Sequence, residues 1–257
     1  LPAVVKGIVA PYIVGQNDAP GSTRNGTFLT YVGTGANNGT EGTDTGFVAY
    51  SYSGSNNLTS STASSVELVT SAGTPQSLTV NTSAYALEVD GTGTPIAPSP
   101  SAVDLNGHTL NLGSGGLILN GGALNGGTLT SSSGEFDVYT SLLNGAVSSN
   151  ITGASSLIKF GPGVLTLTGF NSYTGSTNIN NGVLDVGAIN GNTGLSLPSG
   201  VINFNGGVLQ GNGTFTRSIG GGIGQIDFLS GAVTTAGGWS GGRMAARSGA
   251  YYLPVGR

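Results

Sequence analysis

"GPGVLTLTGFNSYTGSTNINNGVLDVG", residues 161–187, sets three short apolar runs between glycines, asparagines and threonines, and carries one charge, Asp185. Val164-Leu165-Thr166-Leu167-Thr168 alternates apolar and polar side chains. That period of two marks a strand with one buried face. Asn181-Gly182 separates two such runs, and both residue types tolerate the positive φ of a tight turn. Strands of three to five residues with such short turns suit a sandwich poorly. They suit a coil that turns a corner every few residues and hydrogen-bonds to the next coil about 4.8 Å along its axis. One coil cannot bury its apolar face alone, so several must stack.

The pattern recurs. "GLILNGGALNGGTLTSS", from Gly116, and "GVINFNGGVLQGNGTFTRS", from Gly200, both read glycine, apolar strand, Asn-Gly-Gly, apolar pair, glycine, Thr-apolar-Thr, Ser. At roughly 20–25 residues per coil, residues 100–230 should supply about five or six. Leu117, Leu119, Leu165, Leu167, Ile179, Leu184, Val208 and Phe215 are the expected lumen residues. Asn120-Gly121, Asn181-Gly182 and Asn205-Gly206 are the expected turns. Residues 1–100 hold more aromatics and longer polar stretches, and are read as an irregular β-rich region, either a cap or broad coils. Residues 101–257 are read as the solenoid. Three prolines between Thr92 and Ser101 mark the expected boundary, because proline breaks a central ladder.

Composition agrees with an all-β chain. Only 7% of the 257 residues are charged and 48 are glycine, and glycine costs about 1 kcal/mol in a helix interior relative to alanine. There is no cysteine, which removes disulfides and thiolate metal sites. No apolar run approaches the roughly 18 residues of a membrane-spanning helix, so no membrane insertion is expected. Leu1 in place of Met is expected of a processed chain or a piece of a longer one. Residues 1–190 hold three basic against ten acidic residues, and residues 191–257 hold four basic against Asp227 alone. An acidic body with a basic tail does not suit nucleic acid, but it lets one end attract the other.

Chemistry-bearing patterns are few. "GWSGG", residues 238–242, has the Gly-x-Ser-x-Gly spacing of a nucleophile elbow around Ser240. That elbow needs a strand–turn–helix setting and a histidine, and the sole histidine, His108, follows an Asn-Gly turn. Glu88/Asp90 and Glu135/Asp137 each put two carboxylates on one strand face. No basic residue lies close in sequence to either pair, so a solvated face is the expectation, ahead of a surface calcium site or acid–base catalysis on a sugar. "GGIGQID", Gly221 to Asp227, resembles a calcium nonapeptide but places its Asp one position late, on the opposite face of the strand. Trp239 is expected at a partly buried edge. No cofactor is expected.

The stretch Leu157 to Gly187 resembles the passenger-associated repeat of bacterial autotransporters. The motif residues are Lys159, Gly161, Gly163, Leu165-Thr166-Leu167, Gly169, Asn171, Tyr173-Thr174-Gly175, Thr177, Ile179-Asn180 and Gly182-Val183-Leu184. The resemblance implies a right-handed parallel β-helix, secreted or displayed on a bacterial surface, with no shared catalytic residues. The expected role is therefore a non-catalytic stalk, fibre or filament subunit. A glycan-binding adhesin and a polysaccharide-degrading enzyme on the same scaffold are the alternatives, and cell-surface glycans the partner they imply. Both termini are apolar, through Val4, Val5 and Ile8 at one end and Tyr251, Tyr252 and Leu253 at the other. With Arg243 and Arg247 in the basic tail, they suggest a head-to-tail homopolymer.

Overall fold

A computed structural model describes residues 2–16, 19, 21–32, 46–70, 76–93, 98–99, 101–188, 200–212 and 226–235. Among them there is no α-helix, only one 3-10 turn at Leu58–Ser60. Three strands, β1 (Val14–Gln16), β2 (Gly26–Val32) and β3 (Gly46–Ala49), form an antiparallel sheet in the order β1-β2-β3.

The rest is a parallel β-solenoid. Its first coil holds β4 (Val66–Thr70) and β5 (Gln76–Ser77). The second holds β6 (Thr82–Asp90), an antiparallel excursion of β7 (Thr92–Gly93) with β8 (Pro98–Ser99), and β9 (Ser101–Asp104). The third holds β10 (Thr109–Asn120) and β11 (Gly122–Asn125), and the fourth β12 (Thr128–Ser131), β13 (Glu135–Thr140) and β14 (Gly145–Val147). The fifth contains β15 (Asn150–Ile151), β16 (Ser156–Phe160) and β17 (Val164–Leu167); the sixth β18 (Thr177–Ile179) and β19 (Val183–Ala188). Two long strands, β20 (Ile202–Asn212) and β21 (Ile226–Thr235), each cross two faces of the last coils.

Three faces result. The first stacks the starts of β6 and β10 with β12 and β15. The second stacks β4, the ends of β6 and β10, then β13, β16, β18 and the start of β20. The third stacks β5, β9, β11, β14, β17, β19 and the end of β20. Parallel pairing begins at Val66, so the solenoid starts before the boundary drawn at residues 100–101. Of the proline-rich segment there, Thr92–Gly93 and Pro98–Ser99 pair antiparallel as β7 and β8, between β6 and β9 of the second coil.

In-register side chains fill the lumen. On the second face the ladder runs Leu87, Leu117, Val138, Lys159, Ile179, Phe204. On the third it runs Leu165, Leu184, Leu209. Leu117, Leu119, Leu165, Leu167, Ile179 and Leu184 are each fully buried, and each contributes about 2 kcal/mol of apolar transfer. Val208 is a correction. It stands in register with Val183 and is half-buried, while Leu209, in register with Leu184, faces the lumen. Phe215 lies outside the described residues.

The Asn-Gly pairs also differ from two-residue turns. In Asn120-Gly121, Asn181-Gly182 and Asn205-Gly206 only the glycine takes positive φ, at 81°, 66° and 105°. Each makes a corner within one coil. Asn120 is the last residue of β10 and is fully buried, and Asn205-Gly206 lies inside β20.

At the N-terminal end of the solenoid the segment before β4 folds back along that strand. Asn56 donates its backbone N–H to Leu68 O at 2.8 Å and accepts from Thr70 N at 3.0 Å through its side-chain oxygen. It thereby pairs one carbonyl and one amide on the outer edge of β4, where free groups template pairing. Leu58 sits fully buried in the same apolar cluster as Leu78, Val69 and Leu87.

Candidate functional site

The repeat residues sit where neighbouring coils come closest. A Cβ added at Gly161 would lie 2.6 Å from Thr140 O, and one at Gly175 would lie 2.6 Å from Ser155 O. At Gly163, Gly169 and Gly182 it would overlap the carbonyls of Ser141, Ser149 and Gly163. These glycines are therefore fixed by inter-coil spacing, and Gly161 and Gly182 also by positive φ, 81° and 66°. Asn171 is buried, and its side-chain oxygen accepts from Ile151 N, one coil back, at 2.8 Å. Tyr173 is buried in the lumen, its hydroxyl 2.6 Å from Thr177 Oγ1.

Lys159 is the least ordinary member. It is fully buried on the lumen ladder between Val138 and Ile179. Its Nζ donates to the carbonyls of Phe160 at 2.8 Å, Gly161 at 2.9 Å and Asn181 at 3.0 Å. The ammonium thus clips the corner of its own coil to the corner of the next. Burial lowers its pKa from 10.5 to about 7. Sequence reading counted Lys159 only as a motif letter; a lone cation in an apolar strand was the available signal of a buried carbonyl-binding role.

The second cluster lies on the outer side of the second face. The antiparallel sheet and its flanking segments cover that side. Ile8 and Phe28 are fully buried there against Val66, Ala86, Ile118 and Tyr139, with Val14, Tyr50 and Tyr52 at the margin. Asn120 clasps β2, accepting from Gly26 N at 2.9 Å and donating to Gly26 O at 2.8 Å. The same amide nitrogen donates to Asp90 Oδ1 at 2.7 Å. Tyr139 Oη donates to Arg24 O at 2.7 Å, and Leu142 N to Thr23 O at 2.9 Å. Tyr52 Oη donates to Glu88 Oε2, and Glu88 and Asp90 share a further hydrogen bond.

Glu88/Asp90 and Asp137 are therefore not on a solvated face, which corrects the expectation for those acids. Glu88 and Asp137 are buried, and Glu135 alone is exposed. Desolvation, with Asp90 adding repulsion, raises Glu88 to about 8. Desolvation, with Glu135 adding repulsion, raises Asp137 to about 7. Asp90 is raised chiefly by burial, and so, strongly, is the Tyr52 phenol. Asp137 Oδ1 is buried without a hydrogen-bond partner. Burial without a counter-charge favours the protonated form of such carboxyls.

Of the expected assembly residues, Val4 and Val5 are exposed, but their segment leads into the sheet on the solenoid's flank. Ile8 is a correction: it is fully buried in the chain's own apolar cluster and has no surface to offer another molecule. Arg243, Arg247, Tyr251, Tyr252, Leu253, Ser240 and Trp239 lie outside the described residues. Among the described residues no cluster of three or more His, Asp and Glu side chains could hold a metal, and no helix is long and apolar enough to cross a membrane.

The passenger-associated-transport-repeat model matches residues 157–186. The chain is 36% identical over 112 residues, 41% of its length, to the protein called adhesin BmaC autotransporter of Brucella suis biovar 1 (strain 1330). It spans 3% of that much longer protein. No solved structure matches it. The chain therefore carries an autotransporter-type passenger repeat within a parallel β-solenoid, a kind of segment displayed on the bacterial surface or outside the cell.

Proposed function

We propose that the chain is a non-catalytic stalk segment of an adhesin-type surface protein, holding other parts of a long passenger away from the cell. The observation that carries this reading is the use of the repeat's own residues. Its glycines permit close stacking, and Asn171, Tyr173 and Lys159 each bond inward or to a neighbouring coil. Little is left in the repeat for chemistry on a substrate. The adhesin name of the relative supports the same role. Insertion or deletion of whole coils in a displayed passenger tests it. Electron microscopy should show the rod length changing by about 4.8 Å per coil, with surface attachment retained. Loss of attachment at unchanged rod length would refute a spacer role. Turnover of a polysaccharide panel by the purified chain would refute the non-catalytic one.

A second reading places glycan contact on the N-terminal sheet, where Tyr12 and Phe47 are 59% and 51% exposed. Exposed rings offer stacking surfaces to sugars. Glycan-array binding that is lost in Tyr12→Ala with Phe47→Ala would establish it. Head-to-tail self-association would have to use β4 edge groups other than those that Asn56 pairs, and apolar residues other than the buried Ile8. Sedimentation of the chain across a wide concentration range tests it: a monodisperse monomer ends the filament reading.

A further inference from the structure

The covered side of the second face is an unusual place for acids. Glu88, Asp90 and Asp137 all lie on it, at outward positions of β6 and β13. Gly116, in register with Asp137, faces Pro11 and Phe28 of the N-terminal segment. Asn120, which clasps Gly26 of β2, is itself bonded to Asp90. Tyr52, from the segment after β3, closes on Glu88. Among the described residues no cation is bonded to any of the three acids. The titratable groups facing Glu88 are Tyr52 and Asp90, and the one facing Asp137 is Glu135. Lys6 and Arg24 are exposed, and Arg24 lends the junction only its carbonyl.

An ionised carboxylate buried without a counter-charge is costly, so such a group keeps its proton or regains water. Undocking the sheet would return all three acids to water. We propose that the N-terminal antiparallel sheet is a pH-released cover, docked on the second face while Glu88, Asp90 and Asp137 lie beneath it in protonated form, and lifted as they ionise to bare the stripe Val66, Ala86, Ile118 and Tyr139. The coil beneath stays folded, because its lumen ladders and inter-coil bonds do not pass through the sheet. The directions of the acids agree. Each is raised by burial, so the docked state binds more protons than the undocked one. Docking is strongest below the free carboxyl values near 4. It weakens as pH rises through about 7 for Asp137 and about 8 for Glu88.

Two amides bridge the junction and report undocking directly: Gly26 N, bonded to Asn120 Oδ1, and Leu142 N, bonded to Thr23 O. Residue-resolved amide exchange on the full chain, as protection factors, is compared with amides of β13 and β16. Each proton shed weakens docking by up to tenfold per pH unit. Protection at Gly26 and Leu142 should fall about a hundredfold or more between pH 5 and 8 while the coil amides hold theirs. In Glu88→Gln with Asp137→Asn the fall should shrink to a few-fold. If the double variant does not fold, Asp137→Asn alone, at a site whose Oδ1 has no partner, should still remove about tenfold of the fall. Protection at both amides that does not change with pH overturns the proposal. So does an unchanged fall in the variants, or loss of coil and junction protection together.

Discussion

Lys159→Met separates two opposing effects inside the lumen. The variant keeps the apolar stem and removes three donors, from the carbonyls of Phe160, Gly161 and Asn181. Each lost bond costs about 1 kcal/mol net. It also removes the cost of desolvating an ammonium, which is what lowers the lysine to about 7. Near neutral pH the two nearly offset, and the variant should lie within about 3 kcal/mol of the parent. Alkaline pH separates them. Between about 7 and the free value of 10.5 the unfolded chain binds a proton that the folded chain has shed. Parental stability therefore rises with pH there. The window from pH 8.0 to 9.5 lies at or above the values of Glu88 and Asp137 and below the ordinary tyrosine range. Across its 1.5 units the gain is about 2 kcal/mol at about 1.36 kcal/mol per unit. For a domain of this size that is a rise of about 4–8 °C in Tm. Far-UV circular dichroism melts of both proteins at the two pH values read it directly. The parent should gain and the variant should not. A variant that gains as much as its parent would refute a buried, deprotonating Lys159.

Leu165→Asp should cost several kcal/mol by placing a carboxylate in the closed lumen, whereas Val164→Asp, one residue away and facing outward, should shift the melt by less than about 1 kcal/mol; equal losses would mean the register is wrong. Gly163→Ala puts a methyl on Ser141 O and should stop the fifth coil stacking on the fourth. Gly134→Ala, at φ 81° with open space around it, should cost only about 1 kcal/mol of backbone strain; chemical denaturation compares them, and a mild Gly163→Ala would contradict the inter-coil spacing. Asn120→Ala removes both bonds to Gly26. It should speed amide exchange at Gly26 by at least tenfold at pH 6, with the melt of the coil unchanged; unaltered exchange would show that the clasp does not hold the sheet.

The coil was legible because its contacts repeat. A strand of one coil meets its successor about 20 residues on, as Gly145 meets Leu165, so alternation, glycine and asparagine recur at that spacing. Even the misplaced Val208 had a correcting signal: Gly182-Val183-Leu184 and Gly207-Val208-Leu209 are the same tripeptide. Taking Leu184 as inward requires Leu209, not Val208, to face the lumen. The sheet on the second face has no such repetition. Asn120 reaches Gly26 across 94 residues and Tyr139 reaches Arg24 across 115, each contact occurring once. Nothing local announces a partner at such a distance.

A trace of that cover was nonetheless present in the strands it lies on. Val164 to Thr168 alternates because one side of β17 faces the lumen and the other faces water. Leu117-Ile118-Leu119 does not alternate, and all three side chains are buried, the outer two in the lumen and Ile118 under Phe28 and Ile8. A continuous apolar run bounded by glycines signals a strand buried on both sides. The same reading applies to Val138-Tyr139, where the lumen takes Val138 and the cover takes Tyr139. Asp137 is two residues before Tyr139 and Glu88 is in register with Ile118; both therefore share the outward side of those non-alternating runs. On that side Glu88 and Asp137 are buried, while Glu135, at the start of β13, is exposed. The position of the acids within a doubly buried strand, more than their pairing at i and i+2, was the feature that separated a surface charge from a buried proton.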